Sequence, residues 1–228
     1  MSTVVNIFTH TIGRKLIMAL TGLFLILFLS GHVAGNTLLF KDDGGAAFNV
    51  YAKFMTTNGF VKILSYTTYL SVILHVIYAI VLTRYNRAAR PVPYAYSDRK
   101  ANSMWSSRNM GLLGTIILVF LVIHMRSFWA VMHFGSIPMV EIDGEEYKNL
   151  YLVVQEAFQQ LWYVLLYVVA MAGLAYHLSH GFWSAFQTLG LDHKAYTPVI
   201  KTAGLAFAIG VPLIFAAMPV FMYIKFAL

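Results

Sequence analysis

The apolar residues of this chain gather into five long runs, 16–34, 63–83, 110–123, 157–176 and 202–224, separated by short polar segments. A helix needs about 20 such residues to cross roughly 30 Å of hydrocarbon. The runs predict transmembrane helices near 14–36, 60–83, 108–132, 157–184 and 199–224, with the third long enough only if its last turns reach the interface. Alternating β-barrel strands would not give a continuous stretch such as 16–29, so helices are the better reading. The expected fold is all-α, one membrane-embedded domain over 1–228, with five crossings that put the termini on opposite sides. The first run begins too late and lacks a small-residue cleavage pattern, so it reads as a retained helix and not as a signal peptide.

Composition agrees with the pattern. Of 228 residues, 59% are hydrophobic and 11% charged, against about 25% charged in soluble domains. The formal charge of +7 comes largely from basic residues beside the runs. Arg84, Arg87, Arg90, Arg99, Lys100 and Arg108 face a single acid, Asp98, between the second and third runs, and Arg14 and Lys15 precede the first. Under the positive-inside rule these segments are cytoplasmic, placing the N-terminus inside and the C-terminus outside a cell inner or cytoplasmic membrane. Asp42, Asp43, Glu141, Asp143, Glu145, Glu146 and Glu156 fall in the opposite loops. The charge is therefore a topology signal and no argument for nucleic acid. With no cysteine, the chain has no thiolate for an iron–sulfur cluster.

Histidine inside hydrocarbon is the chemistry that stands out, because ionisable residues there are costly and point to function. His32, His75, His124 and His177 each lie on a different run. At 1.5 Å of rise per residue, His32 and His124 stand about 24–27 Å from the inner boundary marked by Arg14 and Arg108, whereas His75 and His177 stand about 14 Å from it. Antiparallel arithmetic thus sorts them into an outer pair, His32 with His124, and an inner pair, His75 with His177, roughly 10 Å apart in level. Two neutral imidazoles on facing helices suit the two axial positions of a haem iron, and a haem so ligated transfers single electrons without an open coordination position. A lone membrane histidine is more often a hydrogen-bonding side chain between helices. Periodicity does not choose between His177 and His180, which lies three residues on.

The segments 14–22 (RKLIMALTG), 30–36 (SGHVAGN), 75–79 (HVIYA), 108–111 (RNMG) leading to His124, and 177–190 (HLSHGFWSAFQTLG) resemble the five-helix, single-polypeptide, di-haem cytochrome b subunit of succinate dehydrogenases and fumarate reductases, the anchor of respiratory complex II. In that family the fourth-helix ligand precedes a glycine by four positions, as His177 precedes Gly181, which selects His177 over His180. The resemblance implies two b haems, at His32 and His124 and at His75 and His177, and a membrane quinone, with menaquinone as its expected form. It also implies a cytoplasmic iron–sulfur subunit and a flavoprotein subunit carrying FAD, which would hold the succinate-oxidising site. This chain would then be a non-flavin subunit of the enzyme, embedded in lipid and open to a higher oligomer of the complex.

Arg126 and His180 are candidate haem-propionate contacts, and Asn36, Tyr66, Glu156 and Gln159 candidate quinone-site residues near the outer haem. One departure from the family's fumarate reductases is Ala175, where those that oxidise menaquinol carry a glutamate tied to proton movement. Another is the lack of any acid in 60–71. Both departures favour succinate oxidation or another proton route. Two other functions stay open at this point: a di-haem anchor of a formate dehydrogenase, hydrogenase or nitrate reductase, and a haem-free transporter with the histidines as a proton path.

Overall fold

The computed structural model describes residues 10–89 and 104–228. Arg90, Asp98, Arg99 and Lys100, used above for orientation, lie outside the described residues. The helices are α1 (Thr11–Asn36), α2 (Ala46–Thr57), α3 (Gly59–Ala88), α4 (Trp105–Arg108), α5 (Met110–His124), α6 (Val131–Phe134), α7 (Leu150–Phe158), α8 (Leu161–Thr188) and α9 (Thr197–Ala227). A π-helical turn, Met125–Ala130, joins α5 to α6 without a break. Five helical stretches are long and apolar enough to cross a membrane: Thr11–Phe40, Gly59–Ala88, Met110–Phe134, Leu161–Thr188 and Thr197–Ala227. The molecule is thus all-α with five potential spans.

The span ends differ from the sequence expectation by one to five residues, the second span, for example, running to Ala88 and not to 83. The fourth span starts at Leu161 and not at residue 157, because Ala157 belongs to the separate helix α7, which ends at Phe158 before the Gln159–Gln160 break. The third span reaches Phe134 through the π-turn, which makes it 25 residues long.

Successive spans run antiparallel. Arg14 at the start of α1 lies over the Tyr85 ring near the end of α3, and Gly204 near the start of α9 meets Phe182 near the end of α8. Lys225 at the end of α9 pairs with Asp42 just past the end of α1, at 2.7 Å. The first and last spans therefore end at the same face of the bundle. In lipid, helix association rests on close packing and interhelical hydrogen bonds, not on escape from water. α8 is the axle: Tyr163, Val164, Tyr167, Ala170, Met171, Gly173, Leu178 and Ala185 are buried along it, against α1, α5 and α9. Pro212 and Pro219 lie seven residues apart on the buried face of α9, where neighbouring helices shield the backbone carbonyls that proline frees.

One end of the bundle carries a folded cap that the apolar runs did not announce. Gly44 and Gly45 have positive φ and turn the chain into α2, and Asn58 caps α3 by accepting from the N–H groups of Phe60 and Val61. Strands β1 (Met139–Ile142) and β2 (Glu145–Lys148) pair antiparallel around Asp143 and Gly144, both at positive φ, the turn geometry that an Asp-Gly hairpin favours. Asn49, 2% exposed, ties the cap together. Its amide donates to Asn149 Oδ1 at 3.1 Å, and its Oδ1 accepts from Tyr151 N–H at 2.9 Å. A Lys53–Glu145 ion pair at 3.0 Å joins α2 to the hairpin. Seven of the nine acidic residues, Asp42 through Glu156 without Asp98, sit at this end.

Candidate functional site

The four histidines meet in the two pairs that depth arithmetic predicts. The rings of His32 on α1 and His124 at the end of α5 are 5.9 Å apart between centroids and nearly perpendicular, at 88°. Those of His75 on α3 and His177 on α8 are 6.3 Å apart at 62°. No other pair of the four makes a ring contact among the described residues.

The separation of the two levels can be measured along single helices. Thr21 of α1 touches His75, and His32 lies eleven residues further along the same helix, about 16 Å. Tyr167 of α8 touches His124, and His177 lies ten residues further along, about 15 Å. Two independent helices thus agree on a spacing of about 15 Å, larger than the roughly 10 Å expected from the sequence. The His32–His124 level is the one nearer the cap.

Two of the rings have an Nδ1 contact from another helix. Thr21 Oγ1 donates to the Ile17 carbonyl at 2.7 Å, the backbone bond open to a hydroxyl in a helix. The same oxygen lies 3.1 Å from the Met18 carbonyl and 3.2 Å from His75 Nδ1. In the tautomer that carries its proton on Nδ1, His75 donates to Thr21 and keeps the Nε2 lone pair free. Tyr167 Oη lies 3.0 Å from His124 Nδ1 and 3.4 Å from Tyr163 Oη. Asn36 donates to the His32 carbonyl at 2.8 Å, with the same amide nitrogen 3.4 Å from His32 Nδ1. His177 Nδ1 is buried with no hydrogen-bond partner, an uncompensated polar group of the kind that native sites rarely leave without a reason.

The surroundings are aromatic. Phe28 stacks on His32 at 5.2 Å, Phe215 lies 5.6 Å from it, and Phe120 and Phe128 flank His124 at 5.7 and 5.5 Å. Phe128 comes from the π-turn directly after His124, a distortion that recurs at functional sites. At the other level, Gly22 packs beside the His75 ring, where a Cβ would stand in ordinary contact, 3.4 Å from Cε1.

This donor set fits haem. A bare divalent ion would need three or four protein ligands, and no group of three or more His, Cys, Asp or Glu capable of holding a metal occurs among the described residues. A porphyrin brings four equatorial nitrogens and leaves two axial positions, matching two histidines per level. With metal–imidazole bonds of about 2 Å, as known for zinc, two axial nitrogens stand about 4 Å apart and their ring centroids roughly 6 Å apart. The observed 5.9 and 6.3 Å are in that range.

The accessory candidates are scattered. Arg126 is exposed on the π-turn, and His180 is half-buried one turn beyond His177. Tyr66 is 70% exposed and packs edge-on against Tyr69, whose hydroxyl accepts from Trp129 Nε1 at 2.7 Å. Glu156 is exposed and Gln159 half-buried around the end of α7. No hydrogen bond links Asn36, Tyr66, Glu156 and Gln159 to one another among the described residues. His133 stacks on Trp129 and His193 on Tyr196, away from both pairs.

Thr21, Tyr167 and Tyr163 were not among the sequence candidates. A partial signal existed for Thr21, which lies three helical turns before His32 and so on the same face of α1. Comparison of the chain with protein-family models, with curated proteins and with solved structures gave no match, so the reading of the site rests on its residues and their geometry.

Proposed function

We propose that the four histidines are the axial ligands of two b haems, and that the chain is the membrane anchor and electron-transfer subunit of a succinate:quinone oxidoreductase. The observation that carries the haem reading is the pairing itself: four helices contribute one histidine each, and these meet two by two at centroid separations suited to one intervening iron. Bound haem supplies a one-electron couple at each level. The chain's part is to hold both imidazoles of a level, exclude water with aromatic rings, and keep the two levels about 15 Å apart along α1 and α8.

Along α1 and α8 the segments between the levels favour electrons over protons. Residues 22–29 of α1 and 168–174 of α8 carry no polar side chain, whereas between the levels α3 contributes the hydroxyls of Thr67, Thr68, Tyr69 and Ser71. A proton path through the histidines would have to run along α3 alone, whereas an electron needs no continuous string of hydrogen-bonding groups.

The complex II assignment rests on the sequence resemblance, above all in 177–190. On that reading the basic end faces the cytoplasm and docks the iron–sulfur subunit, and quinone exchanges electrons with the chain. Ala175 and the acid-free segment 60–71 favour the succinate-oxidising direction.

The test is to purify the chain from haem-replete membranes with whatever subunits accompany it. Expected are two haem b per chain in a reduced-minus-oxidised spectrum, a flavin-containing partner and succinate:quinone reductase activity. His32→Ala and His124→Ala should each lose the same one haem. Well-folded protein without a haem spectrum would overturn the haem reading, and a molybdenum- or nickel-containing partner would overturn the complex II assignment alone.

A further inference from the structure

The two levels are coupled through the helices that hold them. α1 carries His32 of the capped level, and through Thr21 it also touches His75 of the other level. α8 carries His177 of that other level, and through Tyr167 it touches His124 of the capped one. Each of these helices therefore gives a ligand to one level and a hydrogen-bonding side chain to a histidine of the opposite level. Within each pair, one histidine gains an Nδ1 partner from another helix. The second does not: His177 Nδ1 has none, and His32 Nδ1 faces only the amide nitrogen of Asn36, a donor, on its own helix.

We infer that Tyr167 and Thr21 are positioning residues, each holding one axial histidine so that its Nε2 faces the iron and setting the electron donation of that ligand at one level only. This inference rests on the di-haem reading. A histidine bound to metal through Nε2 must carry its proton on Nδ1, so the Tyr167 hydroxyl accepts from His124 and turns its own proton toward Tyr163 Oη, 3.4 Å away. Thr21 reaches the same state by a different route, its proton being spent on Ile17. Accepting the Nδ1 proton orients the ring and raises the basicity of the ligating nitrogen. A more basic ligand favours the more highly charged ferric iron, and so lowers the midpoint potential.

The two acceptors are removable without changing shape, through Tyr167→Phe and Thr21→Val. Redox titration of the complete complex, followed optically and by low-temperature paramagnetic resonance, should show two haems in both variants. Tyr167→Phe should raise the midpoint potential and shift the ferric g-values of the His32–His124 haem alone, and Thr21→Val those of the His75–His177 haem alone. The expected shift is severalfold in the ferric-to-ferrous ratio at fixed potential, up to about tenfold, or about 59 mV for one electron. Thr21→Ser, which keeps the hydroxyl, should restore the wild-type potential. Should Tyr167→Phe fail to assemble, the Thr21 pair tests the same claim at the other level. Two haems whose potentials and g-values match the wild type in Tyr167→Phe or Thr21→Val, or a shift at the opposite level, would overturn the inference and leave the di-haem reading standing. Absence of haem from the wild-type complex would remove both.

Discussion

Replacing His177 and His180 one at a time tests the site most directly, because the two stand three residues apart and only one meets His75. Three residues advance about 4.5 Å along a helix axis and turn it by about 60° from the starting face. His180 therefore stands most of a helical turn from the place where His177 meets His75, their rings 6.3 Å apart. On the proposed di-haem reading the His177→Ala chain should accordingly hold one haem in place of two, the His32–His124 pair being about 15 Å away along α8. Collapse of the fold is not expected to confuse the result. His177 Nδ1 makes no hydrogen bond, so its removal orphans no Nδ1 partner, and a satisfied partner left unpaired is the usual source of a 1–3 kcal/mol loss, as an order of magnitude. His180→Ala should keep both haems. The measurement is haem extracted per mole of purified chain, with low-temperature paramagnetic spectra to identify which haem remains. If His180→Ala lost one haem while His177→Ala kept two with unaltered axial-ligand spectra, the pairing derived from the ring geometry would be wrong.

Further outcomes follow for the scaffold. Asn49→Ala should destabilise the cap by about 2–4 kcal/mol, since it removes two hydrogen bonds and leaves the buried Tyr151 N–H without a partner; thermal unfolding in detergent measures this. The Lys53 ammonium hydrogen-bonded to Glu145 holds that carboxyl below its ordinary 4.5. A depressed acid stabilises when ionised, so the tie is fully present above about pH 4.5 and is lost as pH falls through the lower folded value. Protease cleavage in the hairpin should accordingly rise only in that acidic window, and a constant cleavage rate down to pH 3 would count against the tie. Gly204→Leu should weaken the α8–α9 contact by roughly 1–3 kcal/mol, because its Cβ would come within 2.6 Å of Phe182 Cδ1; a detergent unfolding midpoint equal to wild type would show that Phe182 yields freely.

The five spans were legible because spanning helices have a physical signature that needs no neighbour, namely length and continuous apolarity. Pairing of the histidines was legible for a related reason: in antiparallel helices a residue count is a depth. The cap was not legible in that way. Asp143-Gly144 is a recognised hairpin signal, but it lies in a loop dense with acids, whose charge reports topology and says nothing of turn geometry. Thr21 and Tyr167 lay further out of reach. Each acts on a histidine of another helix, and which side chains meet across an interface depends on helix rotation, which apolar runs as uniform as 16–29 leave unspecified.

The distance between levels shows where depth arithmetic loses accuracy. Counting from flanking arginines gave roughly 10 Å, whereas contacts made by α1 and α8 give about 15 Å. From His75 to Arg84 is nine residues, but from Thr21, which touches His75, back to Arg14 is seven. The two arginines therefore do not mark one plane. Arg14 nonetheless lies 5.8 Å from the centre of the Tyr85 ring, next to Arg84 in sequence. A guanidinium on a long stem reaches several ångströms along the helix axis to find water or an aromatic face, so the Cα of a boundary arginine can sit well inside the level where its charge resides. A histidine held by a hydrogen bond from a second helix has no such freedom. Depth in a membrane bundle is better counted between two contacts on one helix than from a charged residue at its end, and on that measure the two histidine pairs occupy separate levels about 15 Å apart.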